Sequence, residues 1–309
     1  VTPLIDEKIK KTVKPIRAHD NLVAMLDNSA EHHDLAPALM RTHEDGFTVV
    51  SYRSLRLRSI AAAARLQQAG VKPGDRVMLS AENHPDWAIA YFGILRLGAT
   101  AVPLDPGLDR AAVQTIQAAS GAVAAVLDAS TRETFDTDLP SHDLHELTES
   151  GGHSMLTAAP IDGQDLASIL YTSGTTGVPK GVMLSHANFC ALIASVSGVF
   201  TLNEHDRLLS VLPLHHAFEF GCGLLLPLSK GARVISLDAV DGDRLAYGLK
   251  EGRVTCMVGV PALWQLLDRR IRSQVKSKGP LFSAGFEVGL ELNRAIGKAT
   301  GLDLGKVMF

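Results

Sequence analysis

The sequence predicts an α/β protein made of two αβα layered subdomains with largely parallel sheets, and three observations carry that reading. Apolar runs of strand length alternate with amphipathic stretches of helix length over most of the chain, the pattern of parallel strands with helices on both faces. Between two apolar runs, Tyr171 to Val182 forms a loop dense in Gly, Ser and Thr. At 309 residues, 46% of them hydrophobic, the chain has material for one large or two medium cores.

Residues 1–20 read as an N-terminal extension, with Lys8, Lys10, Lys11, Lys14 and Arg17 set among Ile5, Ile9 and Val13. A basic amphipathic lead of this kind could make peripheral contact with an anionic membrane, although a solvated helix lying on the domain is the commoner outcome. Asn21 to Met40 has a helical pattern, and Arg53 to Ala69 is an alanine-rich helix closed by Gly70. Arg76–Ser80 reads as a strand, Pro85 to Leu97 as a helix whose Trp87, Tyr91 and Phe92 face the core, and Val102–Leu104 as a strand. Asp109 to Ser120 is the next helix and Ala122 to Leu127 the next strand. The more polar interval Asp128 to Gly163 is expected to be an irregular connection between two halves, about 21–160 and 161–309.

Leu166–Tyr171 leads into the Gly/Ser/Thr loop as a strand and Val182–Leu184 leads out as another. The glycines let the backbone approach a ligand, and successive amides in such a turn can form an anion-binding nest. Thr172, Ser173, Thr175 and Thr176 add hydroxyl donors beside Gly174 and Gly177, and Lys180 adds a cation on a long stem. A flexible linker has similar composition, but linkers rarely carry strands on both sides and a Pro-Lys-Gly stop. A Walker A loop fails on spacing, because Pro179 stands where the second glycine belongs.

Beyond the loop, Ser185 caps a helix from His186 to about Val199, and Arg207–Leu212 is a strand ending at Pro213. His215 and His216 follow directly, where parallel sheets present ligand groups. Phe218, Phe220 and the run Gly221 to Leu226 suggest an apolar wall with room beside its glycines. A strand over Val254–Val260 precedes a helix from Ala262 to Ile271, and a further helix is expected from about Glu287 to Thr300.

The run Tyr171 to Val182 resembles the phosphate-binding signature of the adenylate-forming superfamily, which holds acyl-CoA synthetases, luciferases and peptide-synthetase adenylation domains. Leu95 to Pro106 and Phe47 to Leu55 resemble two further segments of that family, and the likeness covers nearly all the chain after about residue 20. The stretch Leu212 to Phe220 looks most like the long-chain fatty acid-CoA ligase branch. The resemblance implies ATP, Mg2+ and CoA as cofactors and a fatty acid as substrate. It implies that Thr172, Ser173, Gly174, Thr175, Thr176, Gly177 and Lys180 bind nucleotide, with Thr175 toward the metal. Lys180, Thr175 and His216 take the catalytic roles, while His216, Phe220 and Gly259 line the acid site. The family's downstream Tyr-Gly-x-Thr-Glu and Thr-Gly-Asp segments and its lysine-bearing small domain have no counterpart here. Residues 21–309 are accordingly expected to be an incomplete large N-terminal AMP-binding domain with the C-terminal small domain absent, and inactive alone. Within the same reading, an acyl carrier protein acceptor, an aryl acid, or a non-catalytic module that binds nucleotide or fatty acid stay open.

Composition narrows the classes. A net charge of -3, with no basic stripe and interleaved aromatics, argues against a nucleic-acid partner. Cys190, Cys222 and Cys256 are far apart and outside metal spacing, as expected of reduced thiols in a cytoplasmic protein. No acidic residue stands between Val254 and Val260 to receive an amino group, which favours a simple carboxylic acid over an amino acid. Oligomeric state is open at this level.

Overall fold

Strand pairing assembles two sheets whose membership crosses the midpoint of the chain. The structure, a computed structural model, describes residues 19–135, 137–150, 160–172, 179–280, 284 and 307–308. Its elements run α1 Leu22–His33, β1 Pro37–His43, β2 Gly46–Ser51, α2 Tyr52–Gln68, β3 Arg76–Ser80, α3 Pro85–Arg96, β4 Thr100–Pro103, α4 Arg110–Ser120, β5 Ala124–Leu127, α5 Ala129–Phe135, β6 Ser141–Asp143 and α6 Leu144–Thr148. They continue as β7 Leu166–Thr172, β8 Lys180–Ser185, α7 His186–Ser197, β9 Arg207–Ser210, a π-helix Glu219–Leu225, α8 Leu226–Ser229, β10 Arg233–Ser236, α9 Gly242–Glu251, β11 Cys256–Val258, α10 Pro261–Ser277 and β12 Val307–Met308.

One six-stranded sheet has the order β12-β11-β9-β10-β1-β2 and the other β6-β5-β3-β4-β7-β8. Two hairpins, β1–β2 and β7–β8, are antiparallel, and the remaining ladders are parallel. The boundary expected near residue 160 therefore does not divide the sheets: β1–β2 joins the later strands through β10, and β7–β8 joins the earlier ones through β4. One apolar cluster continues across both, from Leu22 on α1 through Trp87 and Phe92 on α3 to Phe220 and Val258.

Local chemistry sets the ends of the elements. Asn21 Oδ1 accepts the Ala24 N–H, and the Asp109 carboxylate accepts that of Ala112, so α1 and α4 start on satisfied donors. Ser185 and Asn188 form a reciprocal capping box at α7. Gly121 ends α4 at φ 64°, a left-handed position that suits glycine. The helix expected over Asn21 to Met40 stops at His33, because the chain turns at Asp34 and re-enters as β1, pairing Leu39 with Val234. The interval expected to be irregular instead holds α5, β6 and α6; β6 adds a parallel edge beside β5. Those elements are too short for hydrophobic periodicity to mark them.

Trp87, Tyr91 and Phe92 are all buried, as their stripe predicts. The Arg96 guanidinium reaches Asp27 from beneath α2 and donates to Ser59 Oγ at 2.7 Å, joining α1, α2 and α3. No described helix is long and apolar enough to cross a membrane.

Candidate functional site

The Gly/Ser/Thr loop closes the β7–β8 hairpin. Register pairs Thr172 directly with Lys180, so the last hydroxyl before the loop and the first cation after it face each other at its mouth. Both residues are exposed, and β8 is the edge strand. Ser173, Gly174, Thr175, Thr176 and Gly177 lie outside the described residues. Because β7 runs parallel to β4, and β4 to β3, the loop leaves from the same carboxyl end that delivers Asp105–Pro106 and Ala81–Asn83. Neighbouring strands sit about 4.8 Å apart, which places the loop mouth and these segments along one sheet edge.

That edge opens into a cleft of about 470 Å³. Its walls come from the carboxyl ends of strands in both sheets: Asn83 and Asp105 from one, Arg41, Ser210, His215 and Asp238 from the other. Asn83 fixes the wall after β9, accepting the Leu214 N–H at 3.0 Å and donating to the Leu212 carbonyl at 2.7 Å. Asp238 is neutralised by Arg244 and by the Thr42 hydroxyl, which hold its carboxylate below the ordinary range against the opposing effect of burial.

The histidine pair divides its roles. His215 turns its ring inward, with 9% of the side chain exposed and Nε2 3.8 Å from Asp105 Oδ2. Burial, with the adjacent His216 acting in the same direction, lowers its pKa to about 4 and keeps the imidazole neutral. Its Nε2 is buried without a hydrogen-bond partner, as is Nε of Arg41, which comes from the same sheet. His216 is exposed, its ring centroid 4.3 Å from that of His215. The histidine matched to the family position thus faces outward, while its neighbour lines the cleft. Sequence spacing alone could not separate the two.

Phe220 is 2% exposed and sits in an aromatic cluster, 4.5 Å from Tyr91 and 5.3 Å from Phe189 between ring centroids. The room expected beside the glycines of this segment is taken up by protein. A Cβ at Gly223 would fall on the Glu219 carboxyl, and one at Gly221 would lie 2.7 Å from Leu192 Cδ2. Gly259 is occupied likewise, since a Cβ there would sit 2.9 Å from the Trp264 indole. Glu219 is a group that sequence reading missed. It is fully buried, accepts the Ser210 hydroxyl at 2.5 Å, and has its pKa pushed up to about 8 by burial. Glu219 is therefore a neutral acid at pH 7 beneath the floor of the cleft. Only the π-helix, which no motif announces, brings it under β9.

Residues 26–300 match the family model described as AMP-binding enzyme. The chain belongs to the AMP-binding enzyme family. Within that family it is 31% identical over 229 residues to feruloyl-CoA synthase of Amycolatopsis sp, a match covering 72% of this chain and 46% of that protein. It is 29% identical over 255 residues to the medium-chain fatty-acid–CoA ligase of Escherichia coli (strain K12), covering 75% and 44%. The N-terminal domain of FACL13 from Mycobacterium tuberculosis superposes with a TM-score of 0.74 at 27% identity, covering 80% of this chain and 64% of that one. The match to each curated relative spans less than half of that relative's length. The AMP-binding fold accounts for the arrangement found here: mostly parallel strands in two sheets, with the loop and the histidines at carboxyl ends.

Proposed function

We propose that this chain is the N-terminal part of an AMP-forming acid–CoA ligase that activates a long-chain fatty acid. The acid's carboxylate attacks the α-phosphate of ATP, pyrophosphate leaves, and the thiol of CoA then displaces AMP from the acyl adenylate. The observation that carries the reading is the Thr172–Lys180 pair at the mouth of a signature loop, at the same carboxyl end of the sheet as the Asn83 and Asp105 segments that line the cleft.

Charge dictates what the residues must do. Two anions meet and a third departs, so donors aimed at the phosphates supply most of what the protein can add. Lys180 and the hydroxyls of Thr172, Ser173, Thr175 and Thr176 fill that role. Mg2+ bound with ATP would shield the same phosphates, and Thr175 is the residue proposed to hold it. His216, the exposed member of the pair, is the one that meets the carboxylate, on the turn that Asn83 holds. Phe220 and Gly259 complete the proposed acid site; an acyl chain passing Gly259 would have to displace the Trp264 indole that fills the space beside it. The small domain that presents CoA belongs to the remainder of the protein.

An aromatic or otherwise substituted acid is the second reading. The polar walls of the cleft favour it, since Arg41, Asp105 and Asp238 are poor company for an alkyl chain. Pyrophosphate exchange by the full-length protein, run with a chain-length series and with hydroxycinnamic acids, separates the two. Fatty acids of long chain are expected to give the highest kcat/KM, and preference for the aromatic acids overturns that assignment. Lys180→Ala is expected to lower exchange by roughly 10²-fold to 10³-fold while leaving acid binding intact. No exchange with any acid means a non-catalytic binding module, and transfer to an acyl carrier protein in place of CoA corrects the acceptor.

A further inference from the structure

Three donors that the proposed reaction does not use converge at the start of α3. One ligating atom from each of His84, Asp86 and His145 lies within 4.8 Å of the others. His145 Nδ1 is 2.6 Å from Asp86 Oδ2, and His84 Nδ1 is 3.4 Å from the same oxygen. The two rings meet edge to face, with centroids 5.0 Å apart. His84 and Asp86 flank Pro85 at the head of α3, whereas His145 comes from α6, in the segment that the sequence suggested was irregular. The cluster therefore ties a short surface helix to the buried core.

We propose that His84, Asp86 and His145 form a binding site for a zinc-class divalent ion, two imidazoles and one carboxylate, clamping α6 to α3. The carboxylate is fixed by its surroundings. The Asp86 side chain is 9% exposed, and its other oxygen, Oδ1, accepts from Arg58 Nη2 at 2.5 Å, which fixes the carboxylate with Oδ2 toward the rings. His84 Nδ1 accepts the Asp86 backbone N–H at 3.0 Å, so ligation through Nδ1 exchanges that one hydrogen bond for the metal. Tetrahedral zinc with bonds of about 2.1 Å has ligand–ligand edges of roughly 3.4 Å, which the His84–Asp86 distance matches, while His145 and Asp86 move apart from 2.6 Å to admit the ion. Ligation through His145 Nδ1 takes the tautomer with the ring proton on Nε2, and the metal then stands in place of the Nδ1–Oδ2 hydrogen bond. A fourth position stays open to water, since His145 is exposed.

Two features oppose a cation here, and they select which one binds. Arg58 neutralises the carboxylate, and the start of α3 carries the positive end of a helix dipole. A hard ion such as Mg2+, which depends on carboxylate charge, gains little. Zinc or cobalt gains from both imidazoles, so losing either one is decisive.

The test titrates the metal-free 309-residue chain with Zn2+ in the presence of millimolar Mg2+, and with Co2+ as an optical probe. One equivalent of Zn2+ is expected, with a melting temperature that rises with zinc concentration and cobalt absorption bands of a low-coordinate site. His145→Ala, which removes an exposed ligand without touching the core, is expected to weaken Zn2+ binding by at least about 10-fold. His84→Asn keeps an acceptor for the Asp86 N–H, so the helix cap survives, and is expected to lose the site too. His205→Ala, an exposed loop histidine elsewhere, is expected to bind as the parent does. No stoichiometric zinc in the parent, or undiminished zinc in His145→Ala, overturns the proposal. Neither result bears on ATP or acid activation.

Discussion

The β7–β8 hairpin and the segment from β9 through the π-helix both carry groups assigned to the site, yet they are built in opposite ways. The hairpin is an edge, with β8 exposed over most of its length and Met183 62% exposed. The β9 segment is interior: Ser210, Glu219 and Phe220 are buried, and Phe220 touches three aromatic rings. A polyanion needs donors that can close around it and be replaced by water when it leaves. A wall that selects among acids needs fixed shape. Substitutions in the first region should therefore change chemistry with little change in stability, and those in the second should change stability first.

The largest expected effect is Phe220→Ala. Removing a fully buried aromatic ring from between Trp87, Tyr91 and Phe189 leaves a cavity, and losses of about 3–5 kcal/mol are usual. Urea unfolding should show that loss, whereas Lys180→Ala should unfold with the parent. A Phe220→Ala protein of parental stability would mean that the ring belongs to a yielding pocket, and the contrast would break.

Next is the pH dependence that Glu219 imposes. Its pKa is about 8 in the folded chain against an ordinary glutamate value of 4.5, so between those pH values the unfolded state releases a proton that the folded state retains. The folded protein is thus most favoured at low pH, and this contribution is lost as pH rises through the window, at up to about 1.4 kcal/mol per pH unit. Glu219→Gln keeps an acceptor for Ser210 and removes the ionisation. Its stability relative to the parent should grow from pH 5 to pH 8 in denaturant titrations. A difference that does not vary with pH would place Glu219 in contact with water.

The comparison also explains what was legible in the sequence. The hairpin is local: apolar runs, glycines and Pro179-Lys180 sit within about a dozen residues, and the Thr172–Lys180 register follows from the strands on either side. Alternation of strands and helices likewise made the parallel sheets readable, down to the Ser185 cap. The cleft is not local. Arg41 reaches it because β1 pairs with β10, nearly two hundred residues away in sequence, and the stretch around it looked helical. The choice between His215 and His216 depends on one turn held by Asn83, and periodicity cannot see that contact. Glu219 looked like a polar residue in an apolar wall, and only tertiary packing over Gly223 hides its carboxyl.

The smallest expected effect tests the hairpin side of the contrast. Val182 and Met183 are both largely exposed on an edge strand, where an apolar side chain gains little from folding. Met183→Thr preserves strand propensity and removes apolar surface that is already in water, so unfolding should shift by no more than about 0.5 kcal/mol. In the full-length protein the same substitution should leave pyrophosphate exchange within a few-fold of the parent, because Met183 lies three residues beyond Lys180 and pairs across to Ile169 rather than into the loop. A loss near that of Lys180→Ala, without a change in unfolding, would show that this face of β8 is covered when the site works. The hairpin would then owe its geometry to a covering partner, and the division between a yielding edge and a fixed wall would hold only for the isolated chain.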